Sequence, residues 1–358
     1  MQNGLYRAIG LMSGTSMDGI DVALLETDGI GKVIRGNETL FHPFSDADRE
    51  VLRSVQGGKG PVEEATRLLT DRHATAVNKF VQDFNLVVQD VDLIGFHGQT
   101  IMHDPARRLT WQIGDGQRLA TATGIATVAN FRVMDVAAGG QGAPLVPLYH
   151  QALATTLPKP LAVLNIGGVA NVTYIGADGR LVAFDTGPGN ALLDDWLLRH
   201  HGARHDAGGQ LARSGRAFQN VIDEMLAKPY LQARPPKSLD RHDFHGIDLN
   251  NLSAADGAAT LTGLTVQTIA AAGAHFPQLP QLWLVTGGGR HNDFMMEELA
   301  RALPGDVKPV ETAGWNGDFM EAEAFAYLAV RSKLGLPITL PETTGGPAPL
   351  TGGALYLP

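Results

Sequence analysis

Apolar and polar positions alternate along the first forty residues, and this pattern predicts three consecutive strands. The apolar runs of YRAIGLMSGTSMDGIDVALLETDGIGKVIRG, residues 6–36, are separated by two glycine-bearing turns. Such runs, bounded by Gly, Ser and Asp, are typical of strands joined by tight turns. The stretch LAVLNIGGVANVTYIGADGRLVAFDTG, residues 161–187, repeats this order. We therefore predict a three-stranded antiparallel unit that occurs twice in the chain.

Apolar residues at helical spacing predict the principal helices. Residues 62–84 carry Val77 and Phe80 toward one side, as an amphipathic helix does. Another helix is predicted to begin at Asn190, whose side chain is expected to cap it. Further predicted elements are a helix over EAEAFAYLAVRSKLG that ends at Gly335 and buried strands at DLIGFHGQT, IATVANF and LWLVTGGG.

Strands that alternate with helices predict an α/β fold with two similar lobes. We place the first lobe at residues 1–130 and expect the C-terminal segment 341–358 to return to it. The second lobe is placed at residues 131–340. Each lobe is expected to be a sheet flanked by helices, and the two lobes are expected to face each other across a central cleft.

Composition and charge narrow the class of protein. The chain has 358 residues, of which 44% are apolar, and this is enough for two domains with substantial cores. The net charge of −9 argues against a surface for nucleic acid or anionic membrane. The start, MQNGLYRAIG, lacks the features of a signal peptide, and no apolar stretch is long enough to span a bilayer. We expect a cytoplasmic protein without disulfide or thiolate chemistry, because there is no cysteine.

The stretch GLMSGTSMDGID, residues 10–21, carries the first candidate chemistry. Its G-T-S-M sequence also surrounds the active serine of subtilisin-like proteases, which would make Ser16 a nucleophile. Those enzymes place their Asp and His before the Ser, but no Asp or His precedes Ser16 in this chain. A strand is also predicted after the turn, where the protease has a helix. These differences disfavour the protease interpretation.

The same turn is well suited to phosphate. Successive backbone N–H groups in such a turn form an anion-binding nest, and Gly14 and Gly19 permit φ > 0 or a close approach to a ligand. The alternative is a plain hairpin with a polar tip. The predicted phosphate-binding residues are Ser13, Gly14, Thr15, Ser16, Met17, Asp18 and Gly19. Asp18 and Asp21 are predicted to hold Mg²⁺ indirectly, through water.

Several sequence blocks resemble one kinase family in composition and order. They are GLMSGTSMDGIDVAL, GFHGQTIMHDP, NFRVMDVAAGGQGAPLVP, LNIGGVANVTY, FDTGPGN and VTGGGRHN, which extend from residue 9 to about residue 330. These blocks are similar to those of the anhydro-N-acetylmuramic acid kinases. The chain departs from the family at Asn130, where the family usually has Asp, and this puts a carboxylate contact from that position in doubt.

The resemblance implies a fold, an activity and cosubstrates. The fold would consist of two lobes of ribonuclease-H-like mixed sheets, as in the superfamily of acetate and sugar kinases, Hsp70 and actin. The activity would be the ATP- and Mg²⁺-dependent opening and phosphorylation of 1,6-anhydro-N-acetylmuramic acid to N-acetylmuramic acid 6-phosphate, in the recycling of cell-wall sugars. The expected partners are the sugar and ATP, and no nucleic acid or membrane partner is expected. A homodimer is left open.

The catalytic residues follow from the matching motifs. Asp185 in FDTGPGN would be the base that directs the attacking water, and Glu321 would be a second carboxylate that holds this water. Glu323 is the fallback for Glu321. The alternatives are that Asp185 only caps its glycine turn and that both glutamates merely favour the start of a helix.

The binding residues follow in the same way. The second phosphate turn would use Asn165, Gly167 and Gly168, and the adenosine motif would use Gly287, Gly288, Gly289 and Asn292. The sugar would be held by His97, Gln99, Thr100, Arg132 and Asp135, with Arg132 on the lactyl carboxylate. His97 as an ordinary buried histidine and an ion pair between Arg132 and Asp135 remain as alternatives. The histidines of HHGARH and HDFH are interpreted as surface or loop residues rather than zinc ligands.

Two other functions remain open. The first is another sugar or acetate kinase of the same superfamily with a different acceptor. The second is an actin- or Hsp70-like ATP switch whose output is conformational.

Overall fold

The computed structural model describes residues 4–14, 16–238, 244, 247 and 249–358. The strands are β1 (Tyr6–Met12), β2 (Gly19–Thr27), β3 (Val33–Pro43), β4 (Leu93–Phe96), β5 (Gln99–Asp104), β6 (Leu109–Ile113), β7 (Thr127–Ala129), β8 (Leu161–Ile166), β9 (Val169–Ile175), β10 (Leu181–Pro188), β11 (Leu282–Thr286), β12 (Asp306–Pro309) and β13 (Ala354–Tyr356). The α-helices are α1 (Asp46–Ser54), α2 (Val62–Asp83), α3 (Gly116–Thr123), α4 (Val133–Ala138), α5 (Pro147–Leu153), α6 (Ala191–His200), α7 (Gln210–Ser214), α8 (Gln219–Leu226), α9 (Pro229–Gln232), α10 (Ala254–Ala272), α11 (Asp293–Ala302), α12 (Met320–Lys333) and α13 (Pro341–Thr344).

The chain divides into two compact units. Unit 1 comprises Met1–Thr156 and Phe319–Pro358, and unit 2 comprises Leu157–Asp318. Residues 131–156 and 319–340, which the sequence assigned to the second lobe, therefore pack in unit 1. The reason is tertiary: α12 lies against β1, β2 and β4, and the pairing of β13 with β7 returns the C-terminus to the same sheet.

The main sheet of unit 1 has the strand order β13-β7-β4-β1-β2-β3. The first three strands of the chain pair antiparallel, whereas β1, β4 and β7 run parallel. Ile9 and Leu11 on one face of β1 join a buried cluster with Leu69, Val77 and Phe80 of α2. The helix predicted over residues 62–84 is confirmed as α2, and its apolar residues at helical spacing are buried on one side.

Unit 2 repeats this topology with the strand order β10-β9-β8-β11-β12. Again three consecutive strands pair antiparallel, and the first of them, β8, pairs parallel with β11, which in turn pairs parallel with β12. The predicted twofold occurrence of a three-stranded antiparallel unit is therefore confirmed. Each unit is an α/β domain with a ribonuclease-H-like mixed sheet flanked by helices. Within the described part of the chain, no helix is long and apolar enough to cross a membrane.

The topology decides which loops lie near one another. Parallel strands end at the same edge of a sheet, and ligands of open α/β sheets bind at this carboxyl edge. In unit 1 the segments that follow β1, β4 and β7 begin at Ser13, His97 and Asn130. In unit 2 the glycine turns at 167–168 and 287–289 follow β8 and β11. The sheet of each unit therefore gathers sequence-distant motifs at one edge.

Two glycines bring helix α12 directly onto the sheet of unit 1. Gly10 of β1 and Gly95 of β4 are paired in register, and both face this helix. A Cβ on Gly10 would overlap the carbonyl of Ala322, and one on Gly95 would overlap the carbonyl of Phe325. The absence of side chains at these positions thus allows α12 to pack directly on β1 and β4.

Replacing Gly10 by Ala is expected to destabilise the protein. The new methyl group would force α12 away from β1, and overpacking of this kind costs about 1–3 kcal/mol. Urea unfolding measures this loss as a lower free energy of unfolding. Gly31→Ala is the matched control, because a Cβ there meets nothing within 4 Å. Equal stability of the two variants would contradict the direct packing of α12 on Gly10.

Candidate functional site

The loop after β1 contains the predicted phosphate residues of unit 1. The backbone N–H of Met17 donates to the carbonyl of Gly14 at 3.1 Å, which closes the loop. Met17 itself adopts φ 54, so the left-handed position falls on a buried methionine rather than on either predicted glycine. Gly19 is needed for close approach, because a Cβ there would lie 2.6 Å from the carbonyl of His42 on β3. Thr15 lies outside the described residues.

The polar side chains of this loop differ in exposure. Ser16 and Asp18 are exposed, and the Ser16 hydroxyl donates to Asp18 Oδ1 at 2.7 Å. Ser13 is buried and donates to the carbonyl of Gly98 at 3.3 Å. Asp21 lies within β2, opposite Met12. The loop therefore presents one exposed carboxylate, Asp18, beside its backbone turn.

The turn after β4 is buried rather than open. His97 Nδ1 bonds the carbonyl of Gly98 at 2.8 Å, and His97 Nε2 lies 3.0 Å from Arg132 Nε. Gln99 is fully buried and donates from Nε2 to the carbonyl of Gly14 at 3.2 Å. Sequence reasoning predicted that His97 and Gln99 bind the sugar, but their bonds run within the protein. The alternative of a satisfied interior histidine describes His97 better.

Arg132 and Asp135 follow β7 and have separate environments. Arg132 is partly buried and donates from Nη1 to the carbonyl of Gly142 at 2.6 Å. Asp135 is buried, and its Oδ1 accepts from the hydroxyls of Thr339 and Thr344, each at 2.7 Å. Its Oδ2 accepts from the N–H of Gly142 at 2.7 Å. The predicted bonds from Asp135 to sugar hydroxyls are not favoured, because its oxygens already accept three bonds inside unit 1.

Asn130, where the chain departs from the family pattern, has a structural role. Its backbone adopts φ 63, a conformation in which Asn is enriched among non-glycine residues. Its side-chain amide donates to the hydroxyl of Tyr356 on β13 at 3.0 Å. Asn130 therefore ties the turn before Arg132 to the C-terminal strand.

The two candidate glutamates at the start of α12 are in different environments. Glu323 is buried and accepts from Arg35 Nε at 2.9 Å and from the hydroxyl of Tyr149 at 2.7 Å. Glu321 is exposed to solvent. The surrounding protein still removes part of its hydration, and this desolvation raises the pKa of Glu321 above 4.5. The positive charge of Arg132 opposes this rise. Glu323 belongs to a buried network, and Glu321 is the accessible carboxylate.

The glycine turns at 167–168 and 287–289 lie with Gly189, which follows β10, at the carboxyl edge of the sheet in unit 2. The carbonyls of Gly167 and Gly168 accept from the N–H groups of Asn190 at 2.7 Å and Gly189 at 3.0 Å. Gly287 adopts φ 74, and a Cβ there would lie 2.7 Å from the carbonyl of Ile166. These close approaches leave backbone in place of side chains at this edge, as phosphate or ribose binding requires.

Asp185 lies in a polar row across this sheet. It is opposite Asn171 on β9, and Asn171 is opposite Asn165 on β8, so the three side chains share one face. A register shift follows directly between Asp185 and Gly187. Bulges of this kind are over-represented next to active sites, where they redirect a side chain.

Lys237 supports Asp185 from the segment that follows α9. Its carbonyl accepts from the N–H of Asp185 at 3.0 Å, and its ammonium donates to the carbonyl of Leu231 at 2.9 Å. Desolvation lowers the pKa of Lys237, and the charge of Asp185 opposes this shift. The Asp185 backbone is thus anchored by a residue from outside the sheet.

Asn190 and Asn292 have roles that differ from the predicted ones. Asn190 precedes α6, but its side-chain amide donates to the carbonyl of Ile166 at 3.0 Å instead of capping the helix. Asn292 is buried and caps α11, because its Oδ1 accepts from the N–H of Met295 at 3.0 Å. Because Asn292 Oδ1 already accepts this bond, the predicted hydrogen bond between Asn292 and the nucleotide is not favoured for this oxygen.

Sequence reasoning missed three residues that hold these sites. Arg290 is buried and donates to the carbonyl of Gly287 at 2.9 Å and to Glu311 at 2.9 Å, so it fixes the glycine turn. Arg35 and Tyr149 anchor Glu323 in unit 1. The arginine of VTGGGRHN was visible in the sequence, whereas the other two contacts join distant segments without a local signal.

The described residues contain no group of three or more His, Asp or Glu side chains that would hold a metal. Of the two histidine clusters, HHGARH lies within the described residues and begins with His200, the last residue of α6, whereas His242 and His245 lie outside them. A protein cage for metal is therefore absent from the described part. A cation held by one carboxylate, waters and phosphate oxygens remains compatible with Asp18.

Comparison with known proteins gives extensive matches. The family model described as anhydro-N-acetylmuramic acid kinase matches residues 6–358. The anhydro-N-acetylmuramic acid kinase of Paramagnetospirillum magneticum is 54% identical over 98% of this chain and 99% of its own length. That of Rhizorhabdus wittichii is 50% identical over 98% of this chain and 99% of its own length. Component A of (R)-2-hydroxyglutaryl-CoA dehydratase from Acidaminococcus fermentans, a solved structure, aligns with 11% identity and a TM-score of 0.47 over 91% of this chain and 99% of that one.

Proposed function

The chain belongs to the anhydro-N-acetylmuramic acid kinase family, and from this premise we propose how its residues carry out the kinase reaction. Water attacks the anomeric carbon C1 of 1,6-anhydro-N-acetylmuramic acid, and the bond from C1 to the bridging oxygen O6 breaks. Asp185 takes a proton from the water, O6 attacks the γ-phosphorus of ATP, and the bond from this phosphorus to the bridging oxygen of ADP breaks. The products are N-acetylmuramic acid 6-phosphate and ADP.

The position of Asp185 carries this assignment. It lies within β10, directly before a register shift, and its N–H is bonded to the carbonyl of Lys237 at 3.0 Å. A general base must be held within reach of the proton that it removes, and a carboxylate on a strand with an anchored backbone meets this requirement. The neighbouring asparagines add polar groups but no competing charge.

We assign Glu321 to the attacking water as the second carboxylate. It is accessible, whereas Glu323 is buried with Arg35 and Tyr149. Inverting glycoside hydrolases also use two carboxyl groups, of which one activates the attacking water and the other protonates the leaving oxygen. Arg132 is close enough to Glu321 for its charge to oppose the rise in the pKa of Glu321.

The activity is expected to fall in acid as Glu321 is protonated. Its pKa is raised above 4.5, so the ionised form that accepts a bond from water is lost at a higher pH than for an ordinary glutamate. In Glu321→Gln, kcat should drop about 100-fold, and this acid limb should move to lower pH. The measurement is kcat from about pH 4.5 to 8, with the exposed Glu50→Gln as control. An unchanged acid limb in Glu321→Gln would contradict the assignment.

We assign the nucleotide to the glycine-rich turns. The loop at residues 13–19 and the turn at 167–168 would hold phosphates, and the turn at 287–289 would lie against the adenosine. Asp18, with Asp21 behind it on β2, would hold Mg²⁺ through water. Its carboxylate and the Ser16 hydroxyl are the hard oxygen donors that Mg²⁺ prefers. When bound, Mg²⁺ neutralises charge that develops on the transferring phosphoryl group.

We assign the sugar carboxylate to Arg132. Two of its donors are fixed by His97 and by the carbonyl of Gly142, so the orientation of the guanidinium is set before a ligand binds. A planar guanidinium binds carboxylate with defined geometry. Thr100, whose hydroxyl accepts from Gln112 at 3.2 Å, is the remaining side chain of this turn that we assign to the sugar.

Isotope labelling tests the proposed order of bonds. In H₂¹⁸O, a single turnover should place one label on C1 of the product sugar and none in its phosphoryl group, because water attacks carbon and O6 attacks phosphorus. Mass spectrometry of the product and its phosphate fragment measures this. Unlabelled product incubated in the same water corrects for exchange at the anomeric centre. Label in the phosphoryl group would overturn the proposal.

A further inference from the structure

The loop after β1 and the turn after β4 are bonded to each other at two points. Ser13 donates from its hydroxyl to the carbonyl of Gly98 at 3.3 Å. Gln99 donates from Nε2 to the carbonyl of Gly14 at 3.2 Å, the same carbonyl that accepts from Met17. The conformation of the first loop therefore depends on a turn that lies 85 residues further along the chain.

His97 extends this connection to Arg132. Its Nδ1 lies 2.8 Å from the carbonyl of Gly98, which can only accept, so Nδ1 carries the proton. Its Nε2 lies 3.0 Å from Arg132 Nε, which can only donate, so Nε2 accepts. Both ring nitrogens are thus used, and the ring is neutral. Burial and the charge of Arg132 keep the pKa of His97 well below 6.5.

The ring is also fixed by packing. It is buried, with its centroid 4.6 Å from that of Phe325 on α12. A histidine whose two nitrogens and ring face are all engaged within unit 1 has little freedom to turn toward a ligand. A shift of Arg132 would instead move the ring, and the ring would move the carbonyl that holds Ser13.

We infer that His97 and Gln99 are positioning residues, which couple the binding of the sugar carboxylate at Arg132 to the conformation of the nucleotide loop at residues 13–17. This inference rests on the proposed assignment of Arg132 to the carboxylate and of the loop to phosphate. A carboxylate that immobilises Arg132 also immobilises His97, Gly98 and Ser13. The loop therefore loses less conformational entropy when the nucleotide binds. Each ligand must then raise the affinity of the other by the same factor.

Calorimetric titration of ADP, with and without the anhydro-sugar, tests the coupling, because ADP cannot donate a phosphoryl group. In the unmodified protein, saturating 1,6-anhydro-N-acetylmuramic acid should tighten ADP binding about 5- to 20-fold. In His97→Phe, which retains ring packing but loses both bonds, this factor should fall to about 1. His97→Gln can still accept from Arg132 and should recover part of it.

Gln99→Met separates this inference from a direct sugar contact. It should weaken ADP binding several-fold without sugar, because the Gly14 carbonyl loses its bond, while sugar binding without ADP stays unchanged. Gln117→Met on the exposed face of α3 is the matched control. If Gln99→Met or His97→Phe instead weakens sugar binding alone and leaves ADP binding intact, these side chains contact the sugar and the inference is wrong.

The carboxylate itself can be tested with 1,6-anhydro-N-acetylglucosamine, which lacks the lactyl group. This sugar should bind more weakly than 1,6-anhydro-N-acetylmuramic acid and should leave the affinity for ADP unchanged. Equal binding of the two sugars would overturn the assignment of Arg132. Tighter binding of the lactyl sugar, with no effect on ADP in the unmodified protein, would retain that assignment and overturn the coupling.

Discussion

Asp185→Asn is expected to lower kcat about 10³-fold or more for both ring opening and phosphorylation. The amide retains the size of the side chain and its place on β10, but it cannot take a proton from water. Both reactions should be lost together, because O6 becomes a nucleophile only when its bond to C1 breaks. The two measurements are consumption of the anhydro-sugar and release of ADP, each under saturating substrates.

The controls for Asp185→Asn address binding and location. ADP should bind the variant as it binds the unmodified protein, because the glycine turns are unchanged. Asp178→Asn, in the exposed hairpin that joins β9 and β10, removes a similar charge and should alter kcat less than twofold. Ring opening at a near-normal rate in Asp185→Asn would rule out a single base for both steps.

Glu323→Ala is expected to lower the free energy of unfolding by about 3–5 kcal/mol. It would leave the Arg35 guanidinium and the Tyr149 hydroxyl without their shared acceptor in the interior of unit 1. Burial and the nearby Glu323 charge raise the pKa of Tyr149 well above 10, so the phenol remains a donor in the native protein. Urea unfolding measures the loss.

Glu321→Ala is the matched control for the same turn of α12. Its side chain reaches solvent, so the free energy of unfolding should change by less than about 1 kcal/mol, while kcat falls. A second test is the combination of Glu323→Ala with Arg35→Met. It should be less destabilising than the sum of the single changes, because each single change leaves the other partner of the pair unpaired. Additive losses would show that Glu323 and Arg35 do not act as a pair.

The repeated strand pattern could be found from the sequence because it depends on local alternation. The segments 6–36 and 161–187 have the same order of apolar runs and turns, and both form three antiparallel strands. The helix over 62–84 was equally legible, since its apolar spacing matches the helical period. The boundary between the two units could not be predicted in this way, because residues 319–340 join unit 1 through packing of α12 on Gly10 and Gly95.

The sequence by itself determined the family, the strand repeat and the motifs, because residue type and spacing are local properties. It could not decide which polar side chains face a ligand and which face the protein. Asp135 is bonded to Thr339, 204 residues away, and Glu323 to Arg35, 288 residues away. Only the tertiary structure brings such partners together. It thereby makes Glu321 the accessible glutamate and turns His97 and Gln99 inward.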